Sequence, residues 1–305
     1  MKFTIYQESR LGKRRSNQDR IAYCYSRDAL LMVVADGMGG HLHGEIAAQI
    51  AVQYITEAFQ REAKPMLEDE LLFLSRVLTN AHHAILDYAF DKQLPDPPRT
   101  TIVACVIQNS LAHWAHAGDS RLYLLRDGHI AFHTRDHSRV RMMIEQGLIS
   151  AGEQATHPLR NRIFSCLGGT HSPQIEFSKR TPLRAGDSLL LCTDGVWGPP
   201  GAEEGIARLD TSDILANMPH LMDQSERLGG ATCDNLSAIA MTWHDDFSES
   251  PPTTISTMTM PLASFTTKME GFAPGQLPTG AGDLSDDDIE KAIAEINNAI
   301  RKYSK

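Results

Sequence analysis

Eight short runs of β-branched or apolar residues dominate the chain and limit it to a fold built around sheet. They are Phe3–Gln7, Leu30–Ala35, Thr100–Gln108, Leu111–His116, Arg121–Leu125, Ile130–His133, Ser188–Cys192 and Ser237–Trp243. Asp127-Gly128, between two of them, is a hairpin-turn pair. Two longer segments interrupt the series with a period of about 3.6 residues. One covers about 44–59, with Ile46, Ile50, Tyr54 and Ala58 along a face; the other covers about 69–90, with Leu74, Val77, Leu78, Ala81, Ile85 and Tyr88. Consecutive strands joined by short turns pair antiparallel, and the long helices fall between them. The expected class is therefore α+β in layers, not a doubly wound parallel sheet.

The 305 residues suffice for one large domain or two smaller ones, and 42% hydrophobic with 22% charged residues excludes bulk disorder. No apolar run approaches the roughly 20 residues that a membrane-spanning helix needs. The N-terminal MKFTIYQESRLGKRRSN lacks the apolar core of a secretory signal. A cytoplasmic protein with no membrane partner is expected. A net charge of −9 argues against a nucleic-acid partner. The five cysteines are scattered with no CxxC pair, so reduced and mostly buried thiols are expected. None is followed by Arg six positions on, so no thiolate nucleophile in an anion-binding loop is offered.

The charge is uneven. Residues 245–305 hold ten Asp/Glu against five Lys/Arg, a net of −5, which leaves −4 for the body. The expected organisation is a folded body over 1–246, a Pro/Thr/Ser/Gly linker over 247–283 and an amphipathic helix over 284–305. Ser285 and the acidic run after it cap that helix, and Ile289, Ile293, Ile296 and Ile300 form its stripe. Arg301, Lys302 and Lys305 suit its C-terminal dipole. The stripe is expected to dock either on the body or on a partner.

Four aspartates share one setting. Asp36 follows LLMVVA, Asp119 follows LAHWAHAG, Asp194 follows SLLLCT, and Asp234 precedes LSAIAMTW. Each sits at the tip of an apolar strand beside a glycine or turn residue. If the tips converge, the carboxylates repel one another unless cations neutralise them, which implies bound metal. Oxygen ligation without paired His or Cys favours Mg²⁺ or Mn²⁺. Competing schemes fail: DGMGGH has Leu42 where a dinucleotide fingerprint needs its third Gly, and GxxxxGK[ST], HExxH and GxSxG are missing. His82-His83, on a good amphipathic helix, reads as a packed or exposed pair and not as ligands.

Several segments in order carry a resemblance. They are Arg14-xx-Asn17-Gln18-Asp19, ADGMGGHxxGExAA (35–48), TTIVA (100–104), AHAGDSRLYLLRDG (115–128), TRDHS (134–138), HPLRNRI…LGG (157–169), LCTDGVW (191–197) and Asp234-Asn235-Leu-Ser237. Together they resemble the bacterial branch of the metal-dependent type 2C (PPM) Ser/Thr protein phosphatases, over about residues 3–244. The resemblance implies a four-layer α-β-β-α sandwich of two antiparallel sheets flanked by helices. It implies a first metal on Asp36, Asp194 and Asp234, a second on Asp36 and the Gly37 carbonyl, and a smaller third site on Asp119 with Asp194. The ions would be Mn²⁺ or Mg²⁺. Gln18 and Asp19 fall in the outer shell, and Arg14 clamps the phosphate, its planar fork suiting a tetrahedral anion. Asp36 and Asp194 with Arg14 then form the catalytic set for hydrolysis of phosphoserine and phosphothreonine by a dimetal-activated water. The implied partners are phosphoprotein substrates and a cognate Ser/Thr kinase. The alternative is a catalytically degenerate module of the same fold that binds phosphoproteins.

The chain departs from the family pattern in three places. Met38 stands where many eukaryotic relatives carry a His, with His41 nearby; Gln18 replaces a common Glu; Arg99 replaces a common Gly. Residues from about 138 to 170 form the expected flap, in or near which Arg139, Arg141, Arg160 and Arg162 lie. Asp136 and His137 read as hydrogen bonders that fix the loop, and the Cys233 thiol adjoins Asp234.

Overall fold

The central strands bury both faces, which is why they read as continuous apolar runs and not as alternating ones. The computed structural model describes residues 1–38, 43–160 and 162–245; the expected linker over 247–283, the helix over 284–305 and His41 lie outside these. In chain order the elements are β1 (Phe3–Arg10), β2 (Asp19–Tyr25), β3 (Ala29–Asp36), α1 (Gly44–Glu62), α2 (Glu70–Asp91), β4 (Ile102–Gln108) and β5 (Leu111–Ala117). Then follow β6 (Arg121–Arg126), β7 (His129–His133), α3 (Arg139–Glu145), β8 (Glu176–Phe177), β9 (Thr181–Pro182) and β10 (Ser188–Cys192). The last are α4 (Asp194–Trp197), α5 (Ala202–Ala207), α6 (Ile214–Gly229) and β11 (Leu236–Trp243).

Two antiparallel sheets result. One has the order β1-β11-β10-β6-β7; the other runs β2-β3-β4-β5-β8, with β9 also on β5. Alternation along each strand sorts the side chains into three apolar layers. In β3, Leu31, Val33 and Ala35 face α1 and α2, whereas Leu30, Met32 and Val34 face the other sheet. In β11, Ile239, Met241 and Trp243 join the inter-sheet layer, and Ala238 and Ala240 pack toward α4, α5 and α6. The order is α-β-β-α, the α+β sandwich expected from the sequence.

Local chemistry explains some element ends. Asp69 caps α2, its side chain accepting from the Leu72 N–H at 2.8 Å. Asp127 (φ 51°) and Gly128 (φ 79°) make the turn between β6 and β7. Other elements escape the sequence reading. β2 carries Asp19 and Arg20 at its start, and two-residue β8 and β9 are too short to show a period. α6 contains Pro219 in its second turn, a residue that usually ends a helical pattern. Thr100 is not in β4 but bridges Gly37 and Leu167, and so ties the ends of two strands to the flap.

Candidate active site

Strand pairing brings the aspartates together. Asp19 opens β2 and Asp36 ends β3, and the two are direct cross-strand partners. Asp194 follows β10 as the first residue of α4, Asp234 precedes β11, and Asp119 lies between β5 and β6. The four expected carboxylates and Asp19 thus meet at one end of the sandwich, where both sheets deliver strand tips.

That end is held by polar contacts. The Asp36 carbonyl accepts from the Thr101 N–H (2.9 Å) and from the Thr100 hydroxyl (2.9 Å), while its own N–H donates to Thr101 Oγ1 (3.2 Å). The Thr193 hydroxyl donates to Asp19 Oδ2 at 2.9 Å and accepts from the Ser237 N–H at 3.0 Å. Asn235 anchors the N-terminal loop: its Nδ2 donates to the carbonyls of Leu11 (2.9 Å) and Ser16 (3.1 Å), and its Oδ1 accepts from the Gln18 N–H (3.0 Å). That loop carries Arg14, whose Nη2 sits 2.5 Å from Asp234 Oδ2.

Two glycines permit the approach. A Cβ on Gly195 would stand 2.0 Å from the Asn235 carbonyl oxygen. One on Gly37 would stand 2.4 Å from the Gly44 carbonyl oxygen and 2.7 Å from that of Gln18. The glycine beside Asp36 is thus required by the packing of α1 and the Gln18 strand end against it, whatever its carbonyl binds.

The charge of this end is compensated only in part, by Arg14 beside Asp234. Burial, then the neighbouring aspartates, hold Asp36 and Asp119 well above the ordinary carboxylate range. Burial pushes Asp19 up to about 7, the Thr193 and Ser237 hydrogen bonds opposing it. Burial also pushes Asp194 up to about 6; Asp234 adds to the rise and Arg14 opposes it. An all-oxygen donor set that repels itself fits hard divalent cations and fits neither softer metals nor a neutral ligand.

A cleft of about 730 Å³ opens over Asp119, Asp194 and Asp234, with Arg14, Arg160 and Trp197 among its walls. Of the four flap arginines, Arg160 reaches it. Arg141 instead pairs with Glu145 at 3.1 Å, and the Arg139 N–H donates to the Arg162 carbonyl at 2.8 Å. The Gln18 side chain turns to Glu45 Oε2 (3.0 Å). Asp136 and His137 fix the loop as expected: Asp136 takes both Nε and Nη2 of buried Arg121 (2.7 and 2.8 Å), and His137 Nδ1 accepts from the Gly118 N–H (3.3 Å). His82 is a packed core histidine whose Nδ1 accepts from the Gly168 N–H (3.1 Å). All five cysteines are free; Cys105, Cys192 and Cys233 are buried, and burial raises the Cys233 thiol.

Four contributors lay inside recognisable segments without a visible role: Thr193, Asn235, Arg121 and Trp197. The Arg121 guanidinium stacks 3.4 Å from the Trp197 ring centre, and Trp197 Nε1 donates to the Asp119 carbonyl at 3.1 Å. Their roles depend on partners up to 224 residues away in sequence.

The family described as protein phosphatase 2C matches residues 6–231, and the chain belongs to it. The serine/threonine protein phosphatase PstP of Mycobacterium tuberculosis is 30% identical over 242 residues, which are 79% of this chain and 45% of that protein. This chain therefore spans less than half the length of that curated relative. Protein phosphatase PhpP of Streptococcus pneumoniae is 29% identical over 78% of this chain and 96% of its own. Among solved structures, the catalytic domain of PstP in complex with two manganese ions matches at 27% identity with a TM-score of 0.66, over 80% of this chain and 99% of that one.

Proposed function

We propose that the aspartate end hydrolyses phosphoserine and phosphothreonine in proteins phosphorylated by a Ser/Thr kinase. One observation carries this reading: Asp36, Asp119, Asp194 and Asp234 converge at one end of the sandwich, an open cleft lies over the last three, and the Arg14 guanidinium on Asp234 offsets only part of their charge. In it, Asp36, Asp194 and Asp234 hold Mn²⁺ or Mg²⁺ together with the Gly37 carbonyl, and Asp119 with Asp194 forms the third site. Divalent cations in such a set, when bound, make water a nucleophile at neutral pH and offset phosphate charge.

The chain's own groups do the rest. Arg14, half exposed and on a loop pinned by Asn235, binds two phosphate oxygens once Asp234 is otherwise neutralised. Asp19, locked by Thr193, buttresses Asp36 across the β2–β3 pair. Trp197, pressed on Arg121, fixes the peptide that carries Asp119. Arg160 gives the cleft lip a second positive charge for the phosphorylated segment. The PstP complex with two manganese ions and the phosphatase names of the relatives support this reading over a binding-only module.

The test is release of phosphate from a phosphothreonine peptide with Mn²⁺ or Mg²⁺ and with excess EDTA. Turnover that EDTA abolishes is expected. No turnover from a folded, metal-loaded protein would overturn the assignment.

A further inference from the structure

A second cluster of metal-binding atoms is built from residues other than the aspartates. His116 is on β5, His137 in the segment after β7, and Glu176 on β8. The register makes Glu176 the direct cross-strand partner of His116, so both side chains leave the same face. The His137 and His116 ring centres are 4.7 Å apart with their planes inclined by 25°, and the Phe164 ring centre is 5.5 Å from that of His137. One ligand atom from each of His116, His137 and Glu176 lies within 4.8 Å of the others.

The hydrogen bonding of His116 fixes its tautomer. Its Nε2 is 2.8 Å from the Arg135 carbonyl, which can only accept, so Nε2 carries the proton and Nδ1 has the lone pair. That Nδ1 is buried with no hydrogen-bond partner, in a side chain 2% exposed. A ligating histidine whose other nitrogen donates to a backbone carbonyl is the usual arrangement around zinc. Burial keeps both imidazoles neutral, the form that binds metal. Glu176 is exposed and supplies charge and an entrance from solvent.

We propose that His116 Nδ1, His137 Nε2 and the Glu176 carboxylate form a site for a borderline divalent cation, Zn²⁺ in particular. Two nitrogens and one carboxylate with a position left for water suit zinc, whereas Mg²⁺ and Mn²⁺ prefer the all-oxygen end of the sandwich. Ligands at about 2.0–2.2 Å from zinc stand about 3.5 Å apart, so the cluster must tighten, and the solvent-facing Glu176 arm is free to move inward. Loading has a stated cost. His137 Nδ1 now accepts from the Gly118 N–H at 3.3 Å, which leaves the proton on Nε2 beside Glu176. Metal on Nε2 shifts that proton to Nδ1, and the Gly118 amide gives up its acceptor.

Zinc titration of the full chain by calorimetry, with equilibrium dialysis for stoichiometry, tests this. Wild type should bind one more Zn²⁺ than E176Q, or bind that ion at least tenfold more tightly. H116Q should show the same loss, with circular dichroism confirming that both variants fold. D194N, which weakens the aspartate end, should keep the ion that E176Q loses. Co²⁺-loaded wild type should show the visible bands of a low-coordinate, nitrogen-ligated site, and E176Q should not. Equal zinc content and affinity in wild type and folded E176Q would overturn the site, whatever the phosphatase activity.

Discussion

Two groups of buried charge lie within a few residues of each other and behave in opposite ways. Around Arg121, a buried guanidinium meets Asp136 through two hydrogen bonds, with Tyr123 (2.7 Å) and Glu203 (3.1 Å) on its remaining N–H groups. At the strand tips, Asp19 and Asp119 are buried and Asp36 and Asp194 partly so, and the neighbouring aspartates raise them further. The first group is complete within the chain and serves as scaffold. The second is complete only with cations that the chain does not supply. Buried carboxylates are thus no guide to function by themselves; whether the protein compensates them is.

Removing a carboxylate should therefore have opposite effects in the two regions. Asp136→Ala strands the Arg121 charge in the interior and should destabilise the protein by about 3–5 kcal/mol in denaturant unfolding. A loss below about 1 kcal/mol would remove the contrast. Asp36→Asn should fold normally yet lower kcat/KM on a phosphothreonine peptide by more than about a hundredfold, beyond what an outer-shell partner typically costs. Arg14→Ala should raise KM by roughly tenfold or more, and Arg14→Lys should recover part of it, because lysine offers no planar fork. A lysine variant indistinguishable from wild type would show that charge alone suffices there.

The smallest effect has the most specific sign. Asp194 in the metal-free fold is raised to about 6 against an ordinary value of 3.8. The folded state thus holds its proton more tightly, and stability is lost as pH rises through about 6. Metal-free Asp194→Asn, which carries no such charge, should gain on wild type by about 1.5 kcal/mol between pH 5 and pH 7.5. Saturating Mn²⁺ should reverse the order. A pH-independent difference between the two proteins would place the strain elsewhere.

Much of this was legible in the residues. Unbroken apolar runs such as LLMVVA and SLLLC marked strands buried on both faces, because neither face meets water. The Asp-Gly pair set a hairpin by backbone sterics alone, and aspartates at strand tips announced a shared edge. Less legible were elements whose stability is not local. β8 has two residues and exists through its pairing with β5, and α6 tolerates Pro219 because its apolar face packs on β1 and β11.

The sequence by itself determined the layered α+β class and the type of donor at the strand tips, since these follow from periodicity, turn chemistry and residue type; the arginine that faces them came from the family resemblance. Tertiary structure decided which groups are compensated. It gave Asp136 to Arg121, turned Gln18 toward Glu45, made Gly37 a packing necessity and set Glu176 opposite His116. The reason is physical: charge compensation and cross-strand register join residues far apart in the chain, and burial by the whole fold fixes what each interaction contributes.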